Sequence, residues 1–428
     1  MSFRKLCLFA VVPALLVLLA GIFLHRPELW QPAAVASSVL LALGLGSRPE
    51  LKGYQYTAWI AVAVVAAMIY PGAFLKWGDF DLRNKLLILV VVQLVMFGMG
   101  TQMSLHDFAG VAKTPRGVLV GIVCHFTVMP LVGLGLTKIF HFEPEIAAGI
   151  ILIGSCSSGL ASNVMAYIAK SNLVLSVTVT AITTIVAPFM TPLLMKLLAN
   201  QMVEVKFVNM MVEIIKIVIV PIGAALLHDY LKTASAGAKR LIHGVTAACA
   251  IWAVVVFAGF FTIDKVVSPN GAMVLELSAF LGAAVVFGNL YHQLTRALPT
   301  LDRWMPLVSM GGIVYFTTVT TAAGRENLLK IGGLLFVAAA LHNAAGYFFG
   351  YWLSRVAGLD KNSARSVAFE VGLQNGGMAS GIAGNLGKLA TLGLAAAIFS
   401  PWMNISGSLL ANHWKRHPVD DESSSPSS

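Results

Sequence analysis

Long apolar stretches with few charged side chains recur along the whole 428-residue chain, and they constrain its fold more than any other feature. A helix needs about 20 predominantly apolar residues to cross the hydrocarbon core of a bilayer. Stretches close to this length lie at 7–24, 56–75, 86–102, 117–137, 147–168, 173–198, 207–227, 241–262, 271–290, 305–322, 331–353, 366–383 and 390–411. A shorter run at 33–46 predicts one more span or a re-entrant segment. We therefore predict an all-α polytopic membrane protein.

The composition and the distribution of charge support this fold class. Hydrophobic residues make up 57% of the chain, against about 45–50% in soluble domains. The formal net charge is +10, but with a cytoplasmic N-terminus most Lys and Arg residues fall in cytoplasmic loops, which is the usual bias of membrane proteins. We predict an integral protein of the bacterial inner membrane with both termini cytoplasmic. The charge gives no support for a nucleic-acid partner.

Two similar intervals indicate an internal repeat. His125 precedes the motif "GLAS" at Gly159 by 34 residues, and His342 precedes "GMAS" at Gly377 by 35 residues. Many transporters consist of two copies of one helical unit, and the copies meet at the substrate site. The alternative is a chance match between short apolar words.

Each predicted repeat contains a polar, glycine-rich interruption within a span. The interruptions are "GSCSSGLASN" (154–163) and "EVGLQNGGMASG" (370–381). Each Gly weakens a helix by about 1 kcal/mol, and unwound backbone at membrane depth is tolerated only where it lines protein or a water-filled cavity. The N-termini of the half-helices favour anions and their freed carbonyl groups favour cations. The two breaks therefore predict a site for a cation-coupled anion.

The residues around these breaks are rich in oxygen ligands. Ser176 and Thr180 are four residues apart, so both face one side of a helix. Hydroxyl, amide and carboxylate oxygens suit alkali cations, and Ser162 and Asn163 add two more such groups. A buried Glu370 needs a cation or a proton to neutralise it. The alternative for the hydroxyl groups is hydrogen bonding to their own helix.

Four segments carry a resemblance to a known family. They are "GLASNVMAYIAKSNLVLSVTVTAITTIVAPFMTPLLMKLL", "FEVGLQNGGMA", "LHNAAGYFFGYW" and "MNISGSLLANHW". With them the chain resembles a bacterial-type member of the bile acid:sodium symporter family from about residue 54 to 415, with extra transmembrane segments. The resemblance implies an inverted-repeat fold of ten helices, divided into a panel and a core with two crossing broken helices. About four additional hydrophobic segments lie outside that unit.

The resemblance also implies a domain organisation and a function. The predicted units are extra membrane segments at 1–53, a first repeat at 54–200, the start of the second at 201–232, an inserted pair of segments at 233–295, the rest of the second repeat at 296–415 and a polar tail at 416–428. The implied function is sodium-coupled symport of an organic anion, bile-acid-like or a small carboxylate, by alternating access. The implied partners are this anion and the lipid bilayer, with the protein as a monomer or homodimer and not an enzyme.

Site residues follow from the matching motifs. The first sodium site would use the side chains of Ser162, Asn163, Ser176, Thr180 and Glu370. The second would use Glu370, Gln374, the backbone oxygens of Val371 and Leu373, and His125. The substrate would lie beside Leu160, Ala161, Asn163, Asn375 and Gly376.

The chain departs from the family pattern at His125, where bacterial members usually carry Gln. An imidazole nitrogen is a poor sodium ligand, so we expect a weakened second site or a proton on His125 in place of one Na⁺. The alternatives are that His125 is only hydrogen-bonded, that the chain is a proton-coupled or sodium-independent carrier or exporter of the same superfamily, or that it is a membrane enzyme or receptor.

Overall fold

The computed structural model describes residues 3–48, 51 and 54–419, except for the side chains of 260–266. The end of the predicted polar tail, 420–428, lies outside the described residues. The helices are α1 Phe3–Phe23, α2 Pro27–Leu45, α3 Gln55–Ile69, α4 Lys85–Gly100, α5 Gly110–Lys113, α6 Pro115–Phe140, α7 Pro144–Ser155, α8 Ala161–Ile168, α9 Leu173–Leu198, α10 Phe207–Ile214, α11 Val220–Thr233, α12 Ala236–Val266, α13 Pro269–Ala297, α14 Leu301–Ala323, α15 Arg325–Val356, α16 Lys361–Gly372, α17 Gly376–Asn385 and α18 Leu394–Arg416. A π-helical turn, Ile215–Ile219, joins α10 to α11, and a small hairpin pairs β1 Lys76–Trp77 with β2 Phe80–Asp81.

The prediction of an all-α polytopic membrane protein is confirmed. Within the described part of the chain, ten helices are long and apolar enough to cross a membrane. The run predicted at 33–46 as a span or a re-entrant piece belongs to α2, which has 19 residues and therefore the length of a span. Pro27 begins this helix, a position where the missing N–H of proline costs nothing.

One group of helices forms a continuous row. In the order α1, α2, α3, α14, α4, α11, α13, α12, each helix packs against the next. The four central members are α3, α14, α4 and α11, and that these four form the panel implied by the family resemblance stays a prediction. The segments predicted as additions therefore lie at the two edges of this row: α1 and α2 at one edge, α12 and α13 at the other.

The second group, which we call the crossing group, contains α6 to α9 and α15 to α18. Helix α6 packs against α15, α15 against α16, and α18 against α7 and α8. Both spans predicted to carry a break are interrupted in this group. Helix α7 ends at Ser155 and α8 begins at Ala161, while α16 ends at Gly372 and α17 begins at Gly376.

The two interruptions satisfy each other's backbone groups. Ser158 and Gln374 form an isolated antiparallel bridge. The N–H of Gly159 donates to the carbonyl of Leu373 (3.0 Å) and the N–H of Asn375 donates to that of Ser157 (2.9 Å). A Cβ atom at Gly159 would lie 2.7 Å from the carbonyl oxygen of Gln374, so this close approach needs glycine. Unwound backbone is thus kept away from lipid, as the bilayer interior demands.

Candidate functional site

A fully buried carboxylate lies where the two broken helices cross. Glu370, in the last turn of α16, has no exposed surface. Its Oε1 accepts a hydrogen bond from Ser176 Oγ (2.5 Å) and its Oε2 accepts one from Thr180 Oγ1 (2.8 Å). Both hydroxyl groups come from α9, one helical turn apart, so their spacing places them together on the face that meets α16.

Oxygens of α8 complete this cluster. Asn163 Oδ1 lies 2.9 Å from Ser176 Oγ and 3.2 Å from Thr180 Oγ1. Ser162 Oγ lies 3.3 Å from Thr180 Oγ1. The structure thus brings together all five side chains predicted for the first sodium site. Each hydroxyl carries one proton, yet Ser176 Oγ faces two acceptor oxygens. A cluster with more acceptor contacts than protons has the chemistry of a hard-cation site.

One member of this cluster was missed by the sequence reasoning. Ser158 Oγ lies 3.3 Å from Ser162 Oγ and 3.3 Å from the carbonyl oxygen of Leu373. Ser158 belongs to the quoted interruption at 154–163, so the signal was present. Its position inside the break gives it no helical spacing from which to predict its neighbours.

His125 lies between the ends of the two broken helices. Its Nδ1 is 2.9 Å from the carbonyl oxygen of Glu370, and its Nε2 is 2.8 Å from that of Cys156. Glu370 lies in the last turn of α16 and Cys156 is the residue that caps the end of α7, so no helical N–H follows to satisfy either carbonyl. A neutral imidazole donates one hydrogen bond, so it can donate to both carbonyls only when protonated.

The residues predicted for a second sodium site do not direct their oxygens to one common point, as those of the first site do. The carboxylate of Glu370 points toward α9. The side-chain amide of Gln374 donates to the carbonyl of Val371 (2.7 Å), and the carbonyl of Leu373 accepts from Gly159. Gln374 Oε1 is buried and meets no hydrogen-bond donor of the described residues.

A cavity of about 380 Å³ separates the row of helices from the crossing point. This volume lies within the usual range of small-molecule sites. Of the residues predicted to contact substrate, Leu160, Ala161, Asn375 and Gly376 line the cavity. Asn163 does not line it, because its amide oxygen points toward α9.

Gln374, predicted for the second sodium site, also lines the cavity. The other polar lining was not predicted from the sequence, because it comes from segments outside the broken motifs. These residues are Tyr56, Thr57, Gln102, Ser309, Ser400 and Asn404. No charged side chain is among the described residues that line the cavity. Helices α8 and α17 begin at this cavity, and helix N-termini favour negative charge.

Crossing broken helices, a buried oxygen cluster and an adjoining cavity are the construction of a membrane transporter. The family model for the Sodium Bile acid symporter family matches residues 89–268. The chain is 31% identical over 380 residues to the uncharacterized sodium-dependent transporter YocS of Bacillus subtilis, covering 89% of this chain and 96% of that protein. The chain therefore belongs to the Sodium Bile acid symporter family.

More distant relatives carry related names. The chain is 26% identical over 368 residues to the probable sodium/metabolite cotransporter BASS1, chloroplastic, of Arabidopsis thaliana, covering 86% of this chain and 75% of that protein. It is 26% identical over 292 residues to the human ileal sodium/bile acid cotransporter, covering 67% of this chain and 65% of that protein. The family and these names indicate a transporter rather than an enzyme, with sodium as the coupling ion.

Proposed function

We propose that this protein is a secondary active transporter in which Na⁺, bound at the oxygen cluster, drives symport of an organic anion. The buried carboxylate of Glu370 carries the proposal. Its hydrogen bonds come from neutral hydroxyl groups. Arg365, the cation nearest to it in sequence, donates instead to the carbonyl of His417 (2.9 Å). An ionised carboxylate held this way is costly in the membrane until a cation pairs with it.

The arrangement also supports coupling between cation and substrate. Ser162 and Asn163 of α8 contribute to the cluster, and Leu160 and Ala161 at the start of the same helix line the cavity. A cation bound at the cluster would fix the start of α8, so that substrate meets an ordered site. Each ligand would then increase the affinity for the other by the same factor.

The cavity supports a single-charged, partly apolar substrate. Amide and hydroxyl groups with two helix N-termini would accept a carboxylate without a Lys or Arg partner. Bile-acid-like anions and small carboxylates both have this chemistry. Because the cavity lies between the row and the crossing group, a shift of one group against the other would change its access, as alternating access requires.

His125 supports a stoichiometry of one Na⁺ for each substrate. Its ring occupies the space between the carbonyls of Cys156 and Glu370, where the resemblance places part of a second sodium site. We propose that the imidazole takes the place of the second ion. A proton-linked step is the second candidate, favoured by the contact of both ring nitrogens with carbonyl oxygens.

Transport in proteoliposomes tests the proposal. Candidate anions are first screened by thermal shift with and without NaCl, using pyruvate, pantoate and taurocholate as probes. Uptake of the stabilising anion should be driven by an inward Na⁺ gradient and not by an equal K⁺ gradient. Glu370→Gln should remove the Na⁺ stimulation.

A matched control is Glu204→Gln, which changes a carboxylate that is 79% exposed and should leave uptake unchanged. Equal uptake in Na⁺ and K⁺, or Na⁺-driven uptake by Glu370→Gln at the parent rate, would contradict the proposal.

A further inference from the structure

An aromatic cleft of about 530 Å³ lies between α15 and α18, apart from the cavity described above. Its walls include Tyr347, Phe348, Trp352, Trp402 and Trp414. Phe348 and Trp352 are more than half exposed, at 57% and 54%, so the cleft opens away from the protein interior. Both helices have the length and composition of membrane spans, and the cleft therefore faces lipid.

The cleft has the length of one membrane leaflet. Its lining runs along α15 from Ala340 to Trp352 and along α18 from Trp402 to Trp414. Each run covers twelve helical steps, or about 18 Å at 1.5 Å per residue, against about 15 Å for half of the hydrocarbon core. At its deep end Asn343 donates to the carbonyl of Gly372 (2.8 Å), beside the second break. The shallow end therefore lies near the membrane surface.

Cationic side chains follow the shallow end of the cleft along both helices. Arg355 follows Trp352 by three residues, and Lys415 and Arg416 follow Trp414. The guanidinium of Arg365 lies 5.3 Å from the centre of the Trp414 ring. Arg365 is buried and donates to the carbonyls of Trp414 and His417, so we call the other three, Arg355, Lys415 and Arg416, the cationic rim.

Acidic side chains within residues 340–419 do not neutralise the cationic rim. The acids of this range are Asp360 and Glu370. Asp360 accepts a hydrogen bond from the N–H of Ser363 (2.8 Å) as the cap of α16. Glu370 is buried at the crossing point, where it accepts a hydrogen bond from Thr180 of α9. Within residues 340–419 the cations at the shallow end therefore outnumber the acids, and the next acids in the sequence, Asp420, Asp421 and Glu422, lie outside the described residues.

We propose that this cleft is a binding site for an anionic phospholipid. One acyl chain would lie along the aromatic walls, and the phosphate would meet the cationic rim. Aromatic side chains are favoured at the level of the lipid headgroups, and basic clusters beside membrane helices attract anionic lipids. A zwitterionic lipid offers the same acyl chain without the net charge, so the rim selects for anionic headgroups.

Quenching of tryptophan fluorescence tests the site. The purified full-length chain is reconstituted with phospholipids brominated on the acyl chain, either phosphatidylglycerol or phosphatidylcholine. The signal from the cleft is the difference between the parent and Trp402→Phe. We expect this signal to be quenched at lower mole fractions of brominated phosphatidylglycerol than of brominated phosphatidylcholine.

Removing the rim charges should abolish the preference. Each cation removed should lower the preference for phosphatidylglycerol over phosphatidylcholine by roughly fivefold. The triple variant Arg355→Gln/Lys415→Gln/Arg416→Gln should therefore bind the two lipids nearly equally. The matched control, Lys138→Gln/Lys196→Gln/Lys330→Gln, removes the same charge from exposed positions at the other membrane surface and should keep the preference. Thermal melting of both variants checks that they are folded.

Three outcomes would overturn the proposal. Equal quenching of the parent by both lipids would show ordinary contact with acyl chains. No quenching by either lipid would show that a protein segment or a second copy of the chain covers the cleft. A preference for phosphatidylglycerol that survives equally in both triple variants would show attraction by the overall charge alone.

Discussion

Thr180→Val should weaken sodium binding at the oxygen cluster. Valine nearly matches threonine in shape but offers no lone pair, so the variant loses the hydroxyl that lies 2.8 Å from Glu370 Oε2. In the proposed sodium-bound state the hydroxyl oxygen of Thr180 faces the cation. Thr180→Ser keeps the hydroxyl and should bind sodium nearly as well as the parent.

The size of the effect follows from the contact that is lost. A hydrogen bond or ligand contact to a charged group contributes about 1.5–3 kcal/mol, which corresponds to a roughly 10- to 150-fold increase in Kd. At a sodium concentration 100 times the parent Kd, the parent gains about 2.7 kcal/mol of stability from binding. The same concentration should stabilise Thr180→Val by only about 0.3–1.4 kcal/mol.

Thermal unfolding in detergent, followed across a series of NaCl concentrations at constant ionic strength with KCl, measures this difference. Thr184→Val is the matched control, because Thr184 Oγ1 donates to the carbonyl of Thr180 (2.7 Å), within its own helix. If Thr180→Val and Thr184→Val both show the sodium response of the parent, the cluster is not the cation site.

The remaining predictions concern the breaks, the imidazole and the inserted helix. Gly159→Ala should reduce transport and stability, because its Cβ would lie 2.7 Å from a carbonyl oxygen of the other break. Gly223→Ala is the control, because that position has open space around it, and it should change neither property. Thermal melting and uptake assays measure both variants, and equal results for the two would contradict the prediction. His125→Gln should raise the Hill coefficient for Na⁺ in uptake from about one toward two, and an unchanged coefficient would contradict the one-sodium proposal. Lys216→Met should lower the melting temperature more than Lys216→Met/Glu276→Gln, because the single variant leaves Glu213 and Glu276 without their cation and the double variant leaves only Glu213. Equal melting temperatures would show that Lys216 and Glu276 are not coupled.

The parts of this molecule that sequence could predict depend on local spacing. Ser176 and Thr180 share a helical face because they are four residues apart, and the structure directs both toward Glu370. Glu213 and Lys216 have the i, i+3 spacing that favours a local ion pair on a helix. The structure contains this pair, with 2.5 Å between Lys216 Nζ and Glu213 Oε1.

Contacts between distant segments could not be predicted in this way. The partners of His125 lie 31 and 245 residues away along the chain, and only the packing of α6 against α7 and α16 decides which atoms meet. The same holds for Asn163, whose amide turns to the cluster rather than the cavity. The role of these residues in transport stays a prediction.

Helix α17 joins the cavity to a second polar contact at its opposite end. Gly376, at its start, lines the cavity, and Asn385, at its end, donates a hydrogen bond to Glu213 of α10. Glu213 pairs with Lys216, which in turn lies 3.0 Å from Glu276 of the inserted helix α13. A chain of polar contacts therefore runs from the edge of the row to the crossing group. If the protein works by alternating access, opening at this end would separate Asn385 from Glu213. The pairing of Lys216 with Glu276 of α13 would then connect the inserted helix to that movement.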